Sequence, residues 1–496
     1  MKSINSRMFD APHSPVLCDI LRHAMEHPDK IALVEGVNRV SYSQLVANVE
    51  AAARFLCASG LHKGDHILLS ANKEAEFVYL YLAAHLLGVV NVVVDSASPR
   101  ERLDYIISIV NPAILIGSIG STDDNCRCIA FKDVNLDNAL AGPFDLPELS
   151  PDDIADVMFT TGTTGKPKGV CLTHANIAGS AANTNGFIGN RDDDVEALAL
   201  PLSHSFGLGR LRCVLMIGGT LVLVPNFANL KSFFAVLEAE HVTGFGMVPA
   251  VWQYIKRLSG NRIARFSDQI RYIEIGSASL PLEDKMTLMQ LFPNTRLCMH
   301  YGLTEASRAM FTEFHTNADL LESVGRPASS LVEVCVLDDD GNPVDDGQEG
   351  EICVRGNMVM HTYFLPQDNK DAFHEDWFRT GDWGHRDADG FFYLTGRKKE
   401  LINVGGEKVS PATIEAAILS LGVPDCACVA EPDPKGVLGE VPKAYMVQGN
   451  CPLSIEEIKN RIAQLLPAHE IPVLWEWVDK IPRTSSGKIQ RLKLKQ

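Results

Sequence analysis

The chain has 496 residues, 46% hydrophobic and 22% charged, with a formal net charge of −17. That length exceeds one ordinary core and predicts two or more domains, while the acidic balance argues against nucleic acid or an anionic membrane as the main partner. There is no apolar signal core at the N-terminus and no apolar run of the roughly 20 residues that span a bilayer, and the twelve cysteines are scattered without C-x-x-C pairs or zinc-spaced histidines, so free thiols in a cytoplasmic enzyme are expected.

Ser41 and Gln44 form a capping-box pattern, and Leu45, Val46, Val49, Ala52, Ala53 and Leu56 recur at helical spacing up to Gly60, which predicts a helix over 41–60. A strand at 67–70, a helix at 75–87 ended by Gly88, a strand at 89–94, a helix at 103–110 and a strand at 113–116 follow. After a polar, Pro-rich connection at 143–153, the strand 154–159 opens into a Gly/Thr loop. Helices near 174–186 and 231–240 then alternate with strands near 220–224, 243–247, 271–275 and 296–299. Such alternation predicts an α/β fold of mainly parallel sheets with helices on both faces.

From about 321 the texture changes. Strands at 332–337, 351–354 and 390–395, joined by Asp/Gly turns, predict a small antiparallel β unit over about 321–396. From 398 it changes again. Ser410-Pro411 starts a helix, strands lie near 426–430 and 443–447, and Ser454 with Glu457 caps a helix whose buried face is expected to be Ile455, Ile458, Ile462 and Leu465. This is a compact α+β domain of about 100 residues, so the expected division is 1–397 and 398–496.

The loop after residue 159 reads Thr160-Thr161-Gly162-Thr163-Thr164-Gly165-Lys166-Pro167-Lys168-Gly169. Glycines let a backbone turn its N–H groups inward, successive N–H groups make an anion nest, and Thr hydroxyls and Lys ammoniums add donors and charge. A polyphosphate is the natural ligand. The loop is not a Walker A sequence, because Thr160 stands where its first Gly belongs and Pro167 where Ser or Thr would follow the Lys.

The loop closely resembles the phosphate loop of the adenylate-forming superfamily, which comprises acyl- and aryl-CoA ligases, adenylation domains and luciferases. Further motifs of that superfamily follow in order: Pro201-Leu202-Ser203-His204, Gly276-Ser277-Ala278, His300-Tyr301-Gly302-Leu303-Thr304-Glu305, Trp377-Phe378-Arg379-Thr380-Gly381-Asp382, Gly396-Arg397-Lys398-Lys399, Gly405-Gly406-Glu407-Lys408, and Pro482-Arg483-Thr484-Ser485-Ser486-Gly487-Lys488. The residue types suit the chemistry. Tyr301 offers an aromatic face for adenine, Thr304 a phosphate donor, Glu305 a hard oxygen for Mg²⁺, and Asp382 two acceptors for the ribose hydroxyls.

The resemblance implies a large N-terminal ATP- and acid-binding domain, 1–397, and a mobile C-terminal domain, 398–496, that carries the catalytic Lys488 and turns about a hinge at Lys399. It further implies that Thr160, Thr161, Gly162, Thr163, Thr164, Gly165 and Lys168 hold the phosphates. Gly276, Ser277, Ala278, His300, Tyr301 and Gly302 would line the adenine, and Arg397 would add a ribose contact. The acid pocket is expected from His204, which would gate it, with Phe206, Gly207, Met247, Val248, Trp252, Gly276, Ser277 and Ala278. No Asp follows His204 to hold an α-ammonium, so an uncharged aliphatic or aromatic acid is expected. ATP and Mg²⁺ are the implied cofactors, and the implied reaction forms an acyl-adenylate and passes it to CoA. The alternative acceptors are a carrier-protein thiol or an amine, and a catalytically idle binding protein is the reading from another class. Two departures from the common pattern, Thr161 where Ser is frequent and Thr413 where Glu is, affect none of these roles.

Overall fold

Helix starts follow local side-chain chemistry throughout. Ser41, Thr173 and Ser454 each accept from the third residue of their helix, whose side chain returns a bond to the cap, so Tyr42–Ala58, His174–Ile188 and Ile455–Ile462 all begin with a full capping box. The computed structural model describes residues 14–117, 127–134, 136, 146–160, 166–483 and 489–494. Thr161, Gly162, Thr163, Thr164, Gly165 and Lys488 lie outside the described residues. The chain divides into two compact units, Met1–Val334 with Val354–Phe378, and Cys335–Cys353 with Arg379–Gln496.

The first unit is built on two sheets. One has seven strands in the order Thr362–Tyr363, Gly169–Thr173, Ile154–Phe159, Val90–Asp95, His66–Ala71, Ile114–Ile116, Cys128–Ile129. It is parallel from Ile154–Phe159 onward and antiparallel at the other end. The second has eight strands: Met310–Glu313, Arg296–Tyr301, Tyr272–Ile275, Gly244–Met247, Val195–Leu198, Thr220–Leu223, Ile31–Glu35, Asn38–Ser41. Only its two edge strands are antiparallel. The expected mainly parallel α/β architecture is what forms.

One helix, Ser205–Ile217, is buried from Phe206 to Leu215. It carries two arginines into the interior. Arg210 donates from Nε to Glu196 Oε1 at 2.9 Å and sits 3.3 Å from Glu274, both on the eight-stranded sheet. Arg212 donates to Asp156 Oδ2 at 2.7 Å, on the seven-stranded sheet. Asp156 also accepts from the Tyr81 hydroxyl at 2.8 Å and lies 2.9 Å from His85 Nε2. Burial by itself would raise the Asp156 carboxyl; His85 and Arg212 outweigh it and hold the group below the ordinary aspartate value.

In the second unit, Trp377–Arg386, from Arg379 on, pairs antiparallel with Phe392–Arg397, in one sheet with residues 335–337 and 350–353. Downstream, Asp425–Pro432, Glu440–Val447 and Leu474–Val478 form a three-stranded sheet packed on Pro411–Ser420 and Ile455–Ile462 through Ile414, Ile418, Met446, Ile458 and Ile462. Leu465 departs from expectation at 54% exposure: the helix ends at Ile462, so the spacing that would have turned Leu465 inward is lost.

Replacing Arg212 by Ala strips a buried carboxylate of its cation, which typically costs roughly 3–5 kcal/mol. The expected outcome is a marked fall in the thermal midpoint of Arg212→Ala, against a change of about 1 kcal/mol for Ser41→Ala, which loses only a cap. Calorimetry of the two variants checks it.

Candidate active site

In open parallel sheets, ligands collect at the carboxyl ends of the strands. Four neighbouring strands of the eight-stranded sheet end with singled-out residues. Val195–Leu198 leads through residues 199–203 to His204. Gly244–Met247 ends at Met247 and passes to Val248. Tyr272–Ile275 ends at Gly276, and Arg296–Tyr301 contains His300 and Tyr301. The expected strand 296–299 is thus two residues longer, which fixes both His300 and Tyr301 on the sheet. Thr304 and Glu305 follow in a half-buried turn.

His300 and Gly276 fit as a pair. A Cβ at 276 would lie 2.1 Å from the His300 ring, so only Gly admits that ring. On its other side the ring meets Phe206 edge-on, with centroids 4.7 Å apart. Its Nδ1 lies 2.7 Å from Glu274, which also receives Arg308 Nε at 2.7 Å. Arg308 reaches on to the Phe206 carbonyl at 3.1 Å. Burial alone would raise the Glu274 carboxyl, but Arg308, His300 and Arg210 hold it far below the ordinary range. Burial in turn lowers the His300 pKa despite Glu274, which favours a neutral ring. Ser277 sits at φ 73°, in the left-handed region that costs a side chain strain, and both Ser277 and Ala278 are exposed at the sheet's end.

His204 is exposed at the start of the buried helix, where it occupies the N-cap position. Gly207 lets that first turn close, since a Cβ there would come within 2.2 Å of the Pro201 carbonyl oxygen. The same segment is held from outside by Lys73, whose ammonium donates to the Leu200 carbonyl. Among the described residues Lys73 has no carboxylate partner, and burial lowers it from 10.5 to about 7. Phe206, Gly207 and Met247 are buried and Val248 half-buried. Trp252 is buried and directs its indole N–H to Asp284 at 2.9 Å, so its polar edge is committed to the helix Leu282–Leu291.

Glu305 stands beside Tyr363, whose hydroxyl donates to its Oε1 at 2.8 Å. Lys168 lies over the Tyr363 ring, 4.7 Å from the centroid, and 3.8 Å from Asp368. Thr160 closes the base of the Gly/Thr loop, its N–H donating to the Lys168 carbonyl at 3.0 Å. Burial, with Glu305 alongside, pushes the Tyr363 hydroxyl pKa up, so it remains a donor. Glu305 has no cationic partner among the described residues, and no group of three or more His, Cys, Asp or Glu there could hold a metal unaided. A lone part-exposed carboxylate suits Mg²⁺, which takes one or two protein oxygens and the rest from phosphates and water.

In the second unit, Asp382 and Arg397 face each other across an antiparallel pair, with Arg397 Nε 2.9 Å from Asp382 Oδ1. Gly381 N donates to Glu351 at 3.2 Å, which anchors the turn that presents Asp382. Lys399 is exposed. Its neighbour Lys398, together with Lys408, pairs with Asp339 at 2.9 Å each and holds that carboxyl down at about 2. Four residues went unnoticed in the sequence: Lys73, Glu274, Arg308 and Tyr363. For Glu274 the signal existed, as a lone charge inside the apolar run Tyr272-Ile273-Glu274-Ile275.

The AMP-binding enzyme family model matches residues 20–364, and the AMP-binding enzyme C-terminal domain model matches residues 413–488. The chain is 32% identical to the 2-succinylbenzoate–CoA ligase of Bacillus licheniformis, over 94% of this chain and 97% of that protein. It is 29% identical to a feruloyl-CoA synthase of Amycolatopsis, over 95% and 96%. Among solved structures it is similar to the o-succinylbenzoate CoA synthetase of Bacillus subtilis. That protein in complex with its acyl-adenylate intermediate gives a TM-score of 0.87 at 28% identity, covering 96% of this chain and 98% of that one. Its complex with ATP and magnesium gives 0.86 at 28% identity, covering 96% and 99%.

Two outcomes are expected. Gly276→Ala forces His300 out of place at an overpacking cost of roughly 1–3 kcal/mol of stability, so its thermal midpoint should fall below the parent's, which calorimetry measures. The second concerns Lys73. Below pH 7 it is charged in both folded and unfolded chains, and its burial opposes folding in full. As pH rises from about 7 toward 10.5 the folded chain holds it neutral while the unfolded chain still binds the proton, so stability rises. Thermal melts across that window should show the rise flattened in Lys73→Met.

Proposed function

The chain belongs to the AMP-binding enzymes, and on that premise we propose how its own residues divide the work of an acid–thiol ligase. The enzyme activates a carboxylic acid with MgATP to an acyl-adenylate, releasing pyrophosphate, and then transfers the acyl group to the thiol of CoA, releasing AMP. The observation that carries the residue assignment is the convergence of His204, Met247, Gly276 and Tyr301 on adjacent strand ends, next to a Glu305 with no cationic partner among the described residues.

In the first step a carboxylate oxygen bonds to the α-phosphorus as the bond to the pyrophosphate oxygen breaks. Anion meets anion, so the chain must supply positive charge and alignment. We assign the β- and γ-phosphates to the loop Thr160–Gly165, Lys168 and Thr304, and the adenine to Gly276, Ser277, Ala278, His300, Tyr301 and Gly302. Asp382 and Arg397 take the ribose, Glu305 is the protein ligand for magnesium, and Lys488 draws the carboxylate to the α-phosphate. Bound magnesium would add neutralising charge on the phosphate oxygens. In the second step the CoA sulfur bonds to the acyl carbon and AMP leaves. We assign the rearrangement between steps to a turn of 398–496 about Lys399, with His204 gating the acid pocket.

The acid is proposed to be aromatic or aliphatic without an α-ammonium. Support comes from the apolar Phe206, Met247 and Val248, and from relatives named for succinylbenzoate and ferulate. A cytoplasmic location is proposed from the eleven free cysteines of the described residues, which suit a reducing compartment. No helix among the described residues is long and apolar enough to cross a membrane.

Pyrophosphate release should be recorded over a panel of benzoates, cinnamates and short to long fatty acids, with and without CoA. Turnover with one acid class, accelerated by CoA, is expected; no release with any acid would overturn the substrate assignment. Lys488→Ala should slow adenylation on the order of 10²-fold while ATP binding persists. Asp382→Ala should lose ATP binding itself.

A further inference from the structure

The short strand Thr362–Tyr363 joins two places that the ATP chemistry needs at a fixed spacing. On one side it pairs antiparallel with Gly169–Thr173, the strand that leaves the phosphate loop, with Tyr363 opposite Val170. Phe364 N donates to Gly169 O at 2.7 Å and continues that pairing. On the other side, Met360 N donates to the backbone carbonyl of Glu305 at 2.7 Å, and Val359 bridges to Ala306. Asn369 locks the segment by accepting from Tyr363 N at 2.8 Å and donating to Tyr363 O at 3.0 Å. The backbone therefore ties the turn of Glu305 to the exit of the loop, and the Tyr363 side chain repeats the tie one layer out.

That side chain is 8% exposed and touches both partners at once. Its hydroxyl holds Glu305 Oε1 at 2.8 Å, and its ring lies beneath Lys168 Nζ at 4.7 Å. The hydroxyl thus holds the Glu305 carboxylate through Oε1. With its ammonium over the ring and 3.8 Å from Asp368, Lys168 is kept off Glu305. A buried tyrosine usually finds some acceptor, but that alone does not explain one ring serving both an anion and a cation assigned to the same polyphosphate.

We propose that Tyr363 is a positioning residue for ATP activation, its hydroxyl aiming Glu305 and its ring seating Lys168, so that one side chain sets the distance between the carboxylate and the ammonium. The inference rests on the assignment of Glu305 and Lys168 given above. Partners that orient a ligating carboxylate characteristically change metal affinity when removed.

The test uses the full chain with Tyr363→Phe, Tyr363→Leu and Glu305→Gln. Calorimetry reads ATP affinity without divalent ion and then with magnesium, and pyrophosphate release is followed as a function of magnesium concentration. Tyr363→Phe keeps the ring, so metal-free ATP affinity should match the parent, while the magnesium needed for half-maximal rate rises roughly tenfold or more. The KM for the acid should not move. Tyr363→Leu should in addition weaken metal-free ATP binding, because Lys168 loses its seat. A Tyr363→Phe magnesium profile equal to the parent's, with Glu305→Gln shifted, overturns the role of Tyr363 alone. Magnesium dependence unchanged in Glu305→Gln overturns the assignment of Glu305 and the inference with it.

Discussion

Two buried arginines two positions apart hold the first unit together. Arg210 and Arg212 leave the same helix in different directions, one to Glu196 and Glu274 on the eight-stranded sheet, the other to Asp156 on the seven-stranded sheet. Burying such charges is unfavourable unless every partner is in place, so the arrangement tolerates little play. The Asp156 strand ends where the Gly/Thr loop begins. The Glu274 strand ends at Gly276, and the helix itself starts at His204. The end of the Asp156 strand, the end of the Glu274 strand and His204 therefore inherit their spacing from one doubly anchored helix. Hydrophobic contacts, which are not directional, could not fix that spacing alone.

An acidic protein that binds a polyanion must concentrate its cations locally. The chain does so by sorting them. Arg210, Arg212 and Arg308 are neutralised against buried carboxylates and act as scaffold. Lys166 and Lys168, flanking the phosphate loop, rest on tyrosine rings. Lys168 also lies 3.8 Å from Asp368, a looser approach than the 2.7 Å by which Arg212 meets Asp156, so the ring and the carboxylate seat it together. The Asp382–Arg397 pair in the second unit follows the same economy: the carboxylate is oriented by its cross-strand neighbour, in the register that the hairpin dictates.

Much of the fold was legible because its signals are local. The capping boxes at Ser41 and Ser454, the Gly88 terminus and the apolar strands near 67–70 and 89–94 all appear at or within a residue or two of their expected places. The helix Ser205–Ile217 was not foreseen, because a segment buried all round has no polar face and hence no 3.6-residue period to read. Leu465 was misplaced because spacing does not reveal where a helix stops. In the site, the motifs gave residues of recognisable chemistry, such as His204, Tyr301 and Glu305. Lys73 and Tyr363 stayed hidden because their meaning is a contact with residues 127 and 58 positions away, respectively, and no local pattern encodes it.

The fit of His300 into the space left by Gly276 also bears on how this end of the sheet can change in evolution. Neither position can accept a substitution on its own. A larger residue at 276 collides with the ring, and a smaller one at 300 opens a void beside Phe206 and leaves Glu274 short of a partner. Change at these two positions has to arrive as a coordinated pair, because each side chain fills the space that the other leaves.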